Sequence, residues 1–279
     1  MNDRDPAAML RFTHALIDET DRILRSYFAG EFEVSLKADE TYVTVADRQV
    51  ESVLRSRLAE AFPGHGFVGE EYGEEQGRGE ARWIIDPIDA TANFVRGIPV
   101  FGTLLALERD GALVVGVASA PALQQRWWAS AGAGAFTRAA GRERQIRVSD
   151  VAHLEDAQLV FGTLRTIDAN GRLPAWMAAV RRSRRDRGFG DFWGHMFVAQ
   201  GSAEAMLEET GVSIWDLAAP HIIVAEAGGR MTDLAGRASW SGPDALTSNG
   251  LLHDEVLAML SAGSVVSGSG LPRGEHFGA

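Results

Sequence analysis

The 279-residue chain contains no cysteine. Disulfide bonds, thiolate metal ligands and a cysteine nucleophile are therefore excluded. Positive charge is also in short supply. There are 27 lysines and arginines against 38 aspartates and glutamates, for a formal net charge of −11. Nucleic acid and anionic membrane surfaces are held by basic faces, so neither is an expected partner. No apolar run reaches the roughly 18 residues that a membrane span needs. The opening "MNDRDPAAML" lacks the basic-then-apolar layout of a secretion signal. These absences lead to the expectation of a soluble, cytoplasmic protein. No segment repeats internally. Apolar residues, by contrast, are plentiful at 46% of the chain, enough for one large domain or two closely packed halves.

Hydrophobic spacing predicts the elements. Phe12, Leu16, Ile23 and Tyr27 recur at helical intervals over residues 6 to 28, and Val50, Leu54, Leu58 and Phe62 do so over 46 to 62. Thr44 is placed to cap the second helix, with Asp47 three residues on completing a capping box. The Gly- and Glu-rich stretch 66 to 82 reads as a loop, followed by a short buried strand, "RWIID". Turns at Arg109-Asp110-Gly111, Ala120-Pro121 and Gly132-Ala133-Gly134 divide the next segment into a β-meander with strands near 100–108, 112–119 and 125–130. Beyond residue 150 strands alternate with helices. A strand over 157–161, a helix over 174–180, a helix through "HMFVAQG", a strand at "AEAMLEE" and a helix from "SIWDL" to the Gly228-Gly229 cap are expected, then a last helix over 251–260. The expected organisation is an N-terminal α+β half (1–150), a C-terminal α/β half (151–261) and a flexible Gly- and Ser-rich tail (262–279).

Four stretches set carboxylates beside apolar elements: Asp47 in "TVAD", Glu70 and Glu71 in "VGEE", Asp86 and Asp89 in "DPIDAT", and Asp216 in "IWD". A charge at the end of a buried strand is costly unless it is paired or binds a cation. Hard divalent ions such as Mg²⁺ take oxygen ligands and share them with water and phosphate. Pro87 fixes one backbone angle between the two aspartates, so the turn can aim both, and the Ile88 carbonyl, at one point. "ATAN" follows at a candidate helix start, whose free N–H groups suit an anion. Metal ligands and an anion cradle in one segment point to metal-assisted attack on a phosphate ester. Taken singly, Asp47 reads equally well as a helix N-terminal charge and Asp216 as first-turn chemistry. Glu74, Glu75 and Glu80 read as solvated loop charges.

These motifs, "KADETYVTVAD" (37–47), "GEE" (69–71), "WIIDPIDATANFVRG" (83–97) and "WDLAAPHIIVAEAGG" (215–229), resemble the inositol monophosphatase family of Mg²⁺-dependent, lithium-sensitive phosphatases. The resemblance runs from about residue 8 to 260. It implies a layered α-β-α-β-α sandwich, a homodimer, and two to three Mg²⁺ per site. It also implies that Glu70, Asp86 and the Ile88 carbonyl hold the tightest ion, and Asp86, Asp89 and Asp216 the second. Glu70 would serve a third, weaker ion. Asp47 and Thr91 would orient the attacking water, the N–H groups of Ala90 and Thr91 would cradle the phosphate, and Glu209 would contact the alcohol portion of the substrate. Ala90 departs from the pattern, which has glycine there.

Within the family, "DPIDATANFVRGIPVFGTLLAL", "GVASAPALQQRWWASAGAGAF" and above all "RGFGDFWGHMFVAQG" (187–201) are more similar to the branch that hydrolyses L-histidinol phosphate in histidine biosynthesis. Asp191 in "GDFW" would meet an ammonium or imidazolium on that substrate, and an acidic pocket suits a cationic amino alcohol. Its competing reading is a helix cap. Trp193 reads as core or as a stacking platform, His195 as core, and Arg187 as a turn-ordering or substrate-touching residue. An inositol-phosphate or broad sugar-phosphate phosphatase is the alternative function, and a catalytically weak binding homologue is a third.

Overall fold

The computed structural model describes residues 5–28, 30, 34–36, 42–209 and 211–263. The expected flexible tail falls almost wholly outside the described residues; its first two positions, Ala262 and Gly263, end the last helix.

The first half builds one large sheet with two helices on its outer face. Helix α1 (Pro6–Phe28) leads to a small hairpin, β1 (Val34–Leu36) with β2 (Tyr42–Thr44), and then to α2 (Val45–Ala61). The Thr44–Asp47 capping box is formed: the Thr44 hydroxyl accepts the N–H of Asp47, and the Asp47 carboxylate accepts the N–H of Thr44 at 2.7 Å. The sheet then takes β3 (Gly66–Gly69), β4 (Gly73–Glu75), β5 (Ala81–Asp89) and, after the one-turn helix α3 (Thr91–Val95), β6 (Gly102–Arg109), β7 (Ala112–Ala120), β8 (Gln125–Ser130), β9 (Gly134–Ala139) and β10 (Arg142–Ile146). Its order is β10-β9-β8-β7-β6-β5-β3-β4, and only the β3–β5 pair is parallel.

The second half contributes β11 (Gln158–Phe161), α4 (Leu164–Ala169), α5 (Leu173–Arg182), β12 (Arg185–Arg187), α6 (Asp191–Ala199), β13 (Ala205–Glu208), α7 (Ile214–Glu226), β14 (Arg230–Thr232), β15 (Ala245–Ser248) and α8 (His253–Gly263). Its five strands form a second sheet, β12-β11-β13-β15-β14. Helices α6 and α7 lie between the sheets and touch strands of both. Helices α5 and α8 pack together on the far face of the small sheet. The result is the expected α-β-α-β-α sandwich.

Side-chain alternation explains the layers. In β5, Trp83 and Ile85 pack under α1 and α2, while Ile84 faces α6 and α7. In β8, Trp128 sits edge-on to His14 of α1 and Trp127 against Phe192 of α6, one ring on each face. Helix α7 carries apolar residues on most of its circumference, as a helix buried between two sheets must. Leu54, Leu58, Trp83, Leu105 and Val117 are completely buried, each contributing about 1.5–3 kcal/mol of hydrophobic stabilisation. Gly228 ends the segment after α7 with φ +88°, a left-handed residue at the expected cap.

The stretch 66–82 differs from the expectation of a loop. It holds β3, β4 and the start of β5. These strands are short and rich in glycine and glutamate, so neither alternation nor β-branched residues mark them. Strands β9 and β10 extend the meander past its expected end, and β12, β14 and β15 were likewise too short to carry a period.

Candidate active site

Strand β5 pairs regularly with β6 down to Asp86↔Leu104, after which the register slips until Asp89↔Gly102. Residues three apart on a regular strand point to opposite faces. The irregularity at Pro87-Ile88 removes that constraint. Pro87 has no N–H to donate, and its carbonyl accepts a 2.9 Å bond from the Thr103 hydroxyl, which fixes the slip. Asp86 and Asp89 consequently converge, and Asp216 arrives from the first turn of α7. One carboxylate oxygen from each of the three lies within 4.8 Å of the others. Asp216 is anchored by accepting the N–H of Ser213, the N-cap of its own helix. Asp89 accepts the N–H of Phe192 at 3.3 Å, which ties the turn to α6.

The cluster is buried and uniformly negative. Asp86 is 1% and Asp89 6% exposed. Burial, then the charges of Glu70, Asp89, Asp216 and Asp47, push the Asp86 carboxyl far above its usual range. Burial, then Asp191 and Asp216, do the same to Asp89. Asp216 is pushed up to about 7, chiefly by burial. Asp86 Oδ1 has no hydrogen-bond partner. Converging carboxylates with an orphaned buried oxygen are what a hard divalent cation satisfies, and its charge would reverse the pKa shifts. The residues present therefore fit Mg²⁺.

Asp47 stands at the edge of this cluster and serves two ends. Its Oδ2 accepts from the backbone N–H and the hydroxyl of Thr44, at 2.7 and 2.6 Å. Its Oδ1 is 3.5 Å from the Thr91 hydroxyl, which donates to the Ile88 carbonyl at 2.8 Å. The helix-capping reading and the site reading of Asp47 thus describe two oxygens of one carboxylate. Burial pushes it up to about 7, against the lowering effect of the Thr44 bonds and with help from Glu71 and Glu70.

Ala90 adopts φ 63°, ψ 45°, the left-handed region, as N-cap of α3. The N–H groups of Asn93 and Phe94 both return to its carbonyl, which leaves the N–H groups of Ala90 and Thr91 outside the helical ladder. A second non-glycine residue of the site, Asp191, also has a left-handed φ of 57°. Gly190, not Asp191, is the N-cap of α6, and no side-chain capping bond forms there. Asp191 is exposed at the cavity wall, and desolvation by the protein around it raises its carboxyl.

A cavity of about 490 Å³ opens beside the cluster, lined by Ile98, Val100, Phe189, Trp193, Asp191 and Glu208 among others. It adjoins a pocket of about 80 Å³ bounded by Asp89, Ala90, Asp191, His195, Glu208 and Asp216. Asp191 and Glu208 belong to both. Trp193 is half-buried, 5.2 Å from Phe189 and 4.6 Å from Phe197 by ring centroid. His195 is buried with Nδ1 2.8 Å from the Thr247 hydroxyl, and burial lowers its pKa to about 4, so it is neutral. The exposed Arg187 donates to the Asp186 carbonyl.

Glu209 is not brought to this cavity. Its Oε2 accepts from Arg172 at 3.0 Å and Asn170 at 3.1 Å on the other side of the sheet. Glu208 occupies the cavity wall instead. Alternation along β13 gives the reason: Ala205 and Leu207 pack outward with α5 and α8, Met206 packs inward with Val160 and Val198, and Glu208 follows Met206. Reading the strand period through "AEAMLEE" would have found it. Glu208 Oε2 is buried without a hydrogen-bond partner, and burial with the charges of Asp191 and Asp216 raises its pKa well above the usual range.

Fold and site together define a layered α/β protein with a cluster of three converging carboxylates at the end of a central strand and an acidic cavity beside it. Comparison with known proteins gives the lineage. The profile described as the inositol monophosphatase family matches residues 5–267, and the chain belongs to that family. The histidinol-phosphatase of Mycobacterium tuberculosis is 46% identical over 251 residues, covering 89% of this chain and 96% of that protein. The histidinol-phosphatase of Streptomyces coelicolor is 43% identical, covering 90% and 96%. The crystal structure of the extragenic suppressor protein SuhB from Bartonella henselae superposes with a TM-score of 0.84 at 30% identity, covering 92% of this chain and 99% of that one.

Proposed function

We propose that the protein is a Mg²⁺-dependent phosphomonoesterase that hydrolyses L-histidinol phosphate in the cytoplasm, as a step of histidine biosynthesis. The observation that carries the substrate is the pair Asp191 and Glu208, two carboxylates on one cavity wall, the first exposed to the cavity and the second buried. An ammonium or imidazolium satisfies them, whereas a neutral polyol leaves the buried Glu208 without a countercharge. Similarity to two histidinol-phosphatases supports the same choice. Inositol 1-phosphate or a sugar phosphate is the alternative. A catalytically weak binding protein is disfavoured by the convergence of Asp86, Asp89 and Asp216 on one point.

Glu70, Asp86 and the Ile88 carbonyl would hold one Mg²⁺, and Asp86, Asp89 and Asp216 a second, with Glu70 available to a third. Bound there, Mg²⁺ supplies Lewis-acid chemistry: it neutralises phosphate oxygens and lowers the pKa of water. The chain's own groups do the rest. The N–H groups of Ala90 and Thr91 donate to the phosphate. Thr91 can turn its hydroxyl from Ile88 to Asp47 and accept from the attacking water, passing a proton to a carboxylate held in place by Thr44. Water forms the new bond to phosphorus, and the bond to the alcohol oxygen breaks in line. Glu208 and Asp191 hold the cationic end, and Trp193 offers a face to an imidazole. A homodimer, which the family resemblance implies, completes the proposal.

Purified protein should release phosphate from L-histidinol phosphate only with Mg²⁺, and Asp86→Asn should abolish most of it. Absence of phosphate release from any small monoester would refute the enzyme reading.

A further inference from the structure

We propose that Glu51 is a positioning residue for Glu70: a buried carboxylate strut from α2 that fixes the turn carrying a Mg²⁺ ligand. The proposal rests on the reading of Glu70 as such a ligand.

Helix α2 points two acids the same way, one turn apart. Asp47 reaches the site, and Glu51, at the i+4 position on the same helix face, reaches the turn between β3 and β4. Glu51 is completely buried. Its Oε2 accepts the N–H of Glu71 at 2.8 Å and its Oε1 the N–H of Tyr72 at 3.3 Å. These are the two residues that follow Glu70, and the Glu70 N–H is itself bonded to the Ile85 carbonyl on β5 at 3.3 Å. The turn is therefore pinned on both sides of Glu70.

The strut is in turn braced. Arg55 donates from Nε to Glu51 Oε1 at 2.8 Å and from its terminal nitrogen to the Gly73 carbonyl across the hairpin. Its guanidinium lies 5.4 Å from the Phe67 ring and 5.9 Å from the Tyr72 ring. Gly69 is part of the same arrangement. A Cβ there would stand 2.0 Å from Glu51 Oε1, so the absence of a side chain at 69 is what admits the carboxylate. A charged residue this deep is justified when every oxygen is used. Here two backbone N–H groups and a guanidinium use them.

Glu70 itself is half-buried, and its backbone is held on both sides by these bonds. Loss of groups that orient a metal ligand costs about 10- to 100-fold in metal affinity. Glutamine at 51 keeps the volume but loses the charge, and its amide nitrogen would face a backbone N–H, donor against donor.

The test compares wild type, Glu51→Gln, Glu70→Gln and the double variant. It reads Mn²⁺ binding by calorimetry and the Mg²⁺ concentration for half-maximal phosphate release. Folding is checked by circular dichroism and melting. Glu51→Gln should weaken Mn²⁺ binding and raise the Mg²⁺ requirement about tenfold or more, with kcat largely recovered at saturating Mg²⁺, and should add nothing in the Glu70→Gln background. Unchanged metal dependence in folded Glu51→Gln, or an equal further loss in the Glu70→Gln background, would overturn the proposal. Should Glu51→Gln fail to fold, Arg55→Lys loosens the same brace with the charge kept; it should raise the Mg²⁺ requirement, and no change would overturn the proposal. If Glu70→Gln bound Mn²⁺ like wild type, the ligand reading itself would fall, an outcome distinct from failure at Glu51 alone.

Discussion

Replacing Ala90 with glycine probes the turn on which the proposed phosphate cradle depends. Ala90 sits at φ 63°, ψ 45°, where an L-residue with a Cβ is strained by about 1–2 kcal/mol. Glycine relieves that strain but loses about 0.4–1 kcal/mol through the greater freedom of the unfolded chain. The Ala90 methyl is half-buried against the α1–α2 side of the core, so its removal forfeits about half of the ~0.8 kcal/mol of a fully buried carbon. The three effects nearly cancel, and Ala90→Gly should change stability by less than about 1 kcal/mol, equivalent to a melting shift of no more than about 4 °C. Both cradle N–H groups survive, so kcat/KM should be at least that of wild type. Ala90→Val should behave oppositely, because a β-branched side chain is far worse in the left-handed region. Its cost should exceed about 2 kcal/mol, and the cradle should be lost with it. Thermal melting and steady-state phosphate release on the three proteins decide the matter. An Ala90→Gly protein clearly less stable or less active than wild type would refute the reasoning and show that the turn is built around the methyl group.

Further outcomes follow from the acidic cluster and the cavity beside it. Asp86→Asn should melt at or above the wild-type temperature without metal, since the buried repulsion around Asp86 falls, yet Mg²⁺ should no longer stabilise it. In the wild type, Mg²⁺ at a hundredfold excess over Kd should add about 2.7 kcal/mol, or about 5–10 °C. The metal-free protein should lose stability as pH rises from about 4 to about 7. Asp47 and Asp216, pushed up to about 7, keep their protons there in the folded state while unfolded carboxyls have released theirs; urea unfolding in chelator should trace this fall, and saturating Mg²⁺ should remove it. Glu208→Gln should raise KM for L-histidinol phosphate about tenfold or more, whereas Glu209→Gln should act through stability, because Glu209 pairs with Arg172.

The sequence was most readable where a long period or a single residue type decides the structure. Helices α1 and α2, the Thr44–Asp47 box, the strand into "DPID" and the Gly228 cap all lie where spacing and turn chemistry put them. Of the strands of three or four residues, β11 and β13 lie where expected, whereas β4, "GEE", shows no alternation to detect and escaped. Asp86, Asp89 and Asp216 could be grouped because each borders an apolar element. That a register slip at Pro87 makes Asp86 and Asp89 converge is a tertiary fact. Glu208 and Glu209 differ only in which side of β13 they face. Motif spacing favoured Glu209, and the strand's two-residue period places Glu208 in the cavity. Glu51, twenty residues before the earliest N–H group it holds outside its own helix, left no sequence trace of its contact with the Glu70 turn.

The central claim is that this site hydrolyses a phosphate ester of a cationic amino alcohol. The direct measurement is kcat/KM for L-histidinol phosphate and inositol 1-phosphate, side by side, at saturating Mg²⁺, in wild type and Asp191→Asn. Asparagine tolerates the left-handed backbone of residue 191, so the substitution removes charge and little else. The wild type should prefer L-histidinol phosphate by at least about 100-fold, the scale of roughly 3 kcal/mol for close charge pairs at an interface, and Asp191→Asn should erase most of that preference by slowing L-histidinol phosphate alone. A wild type that favours the inositol ester, or a variant that slows both esters equally, would contradict it.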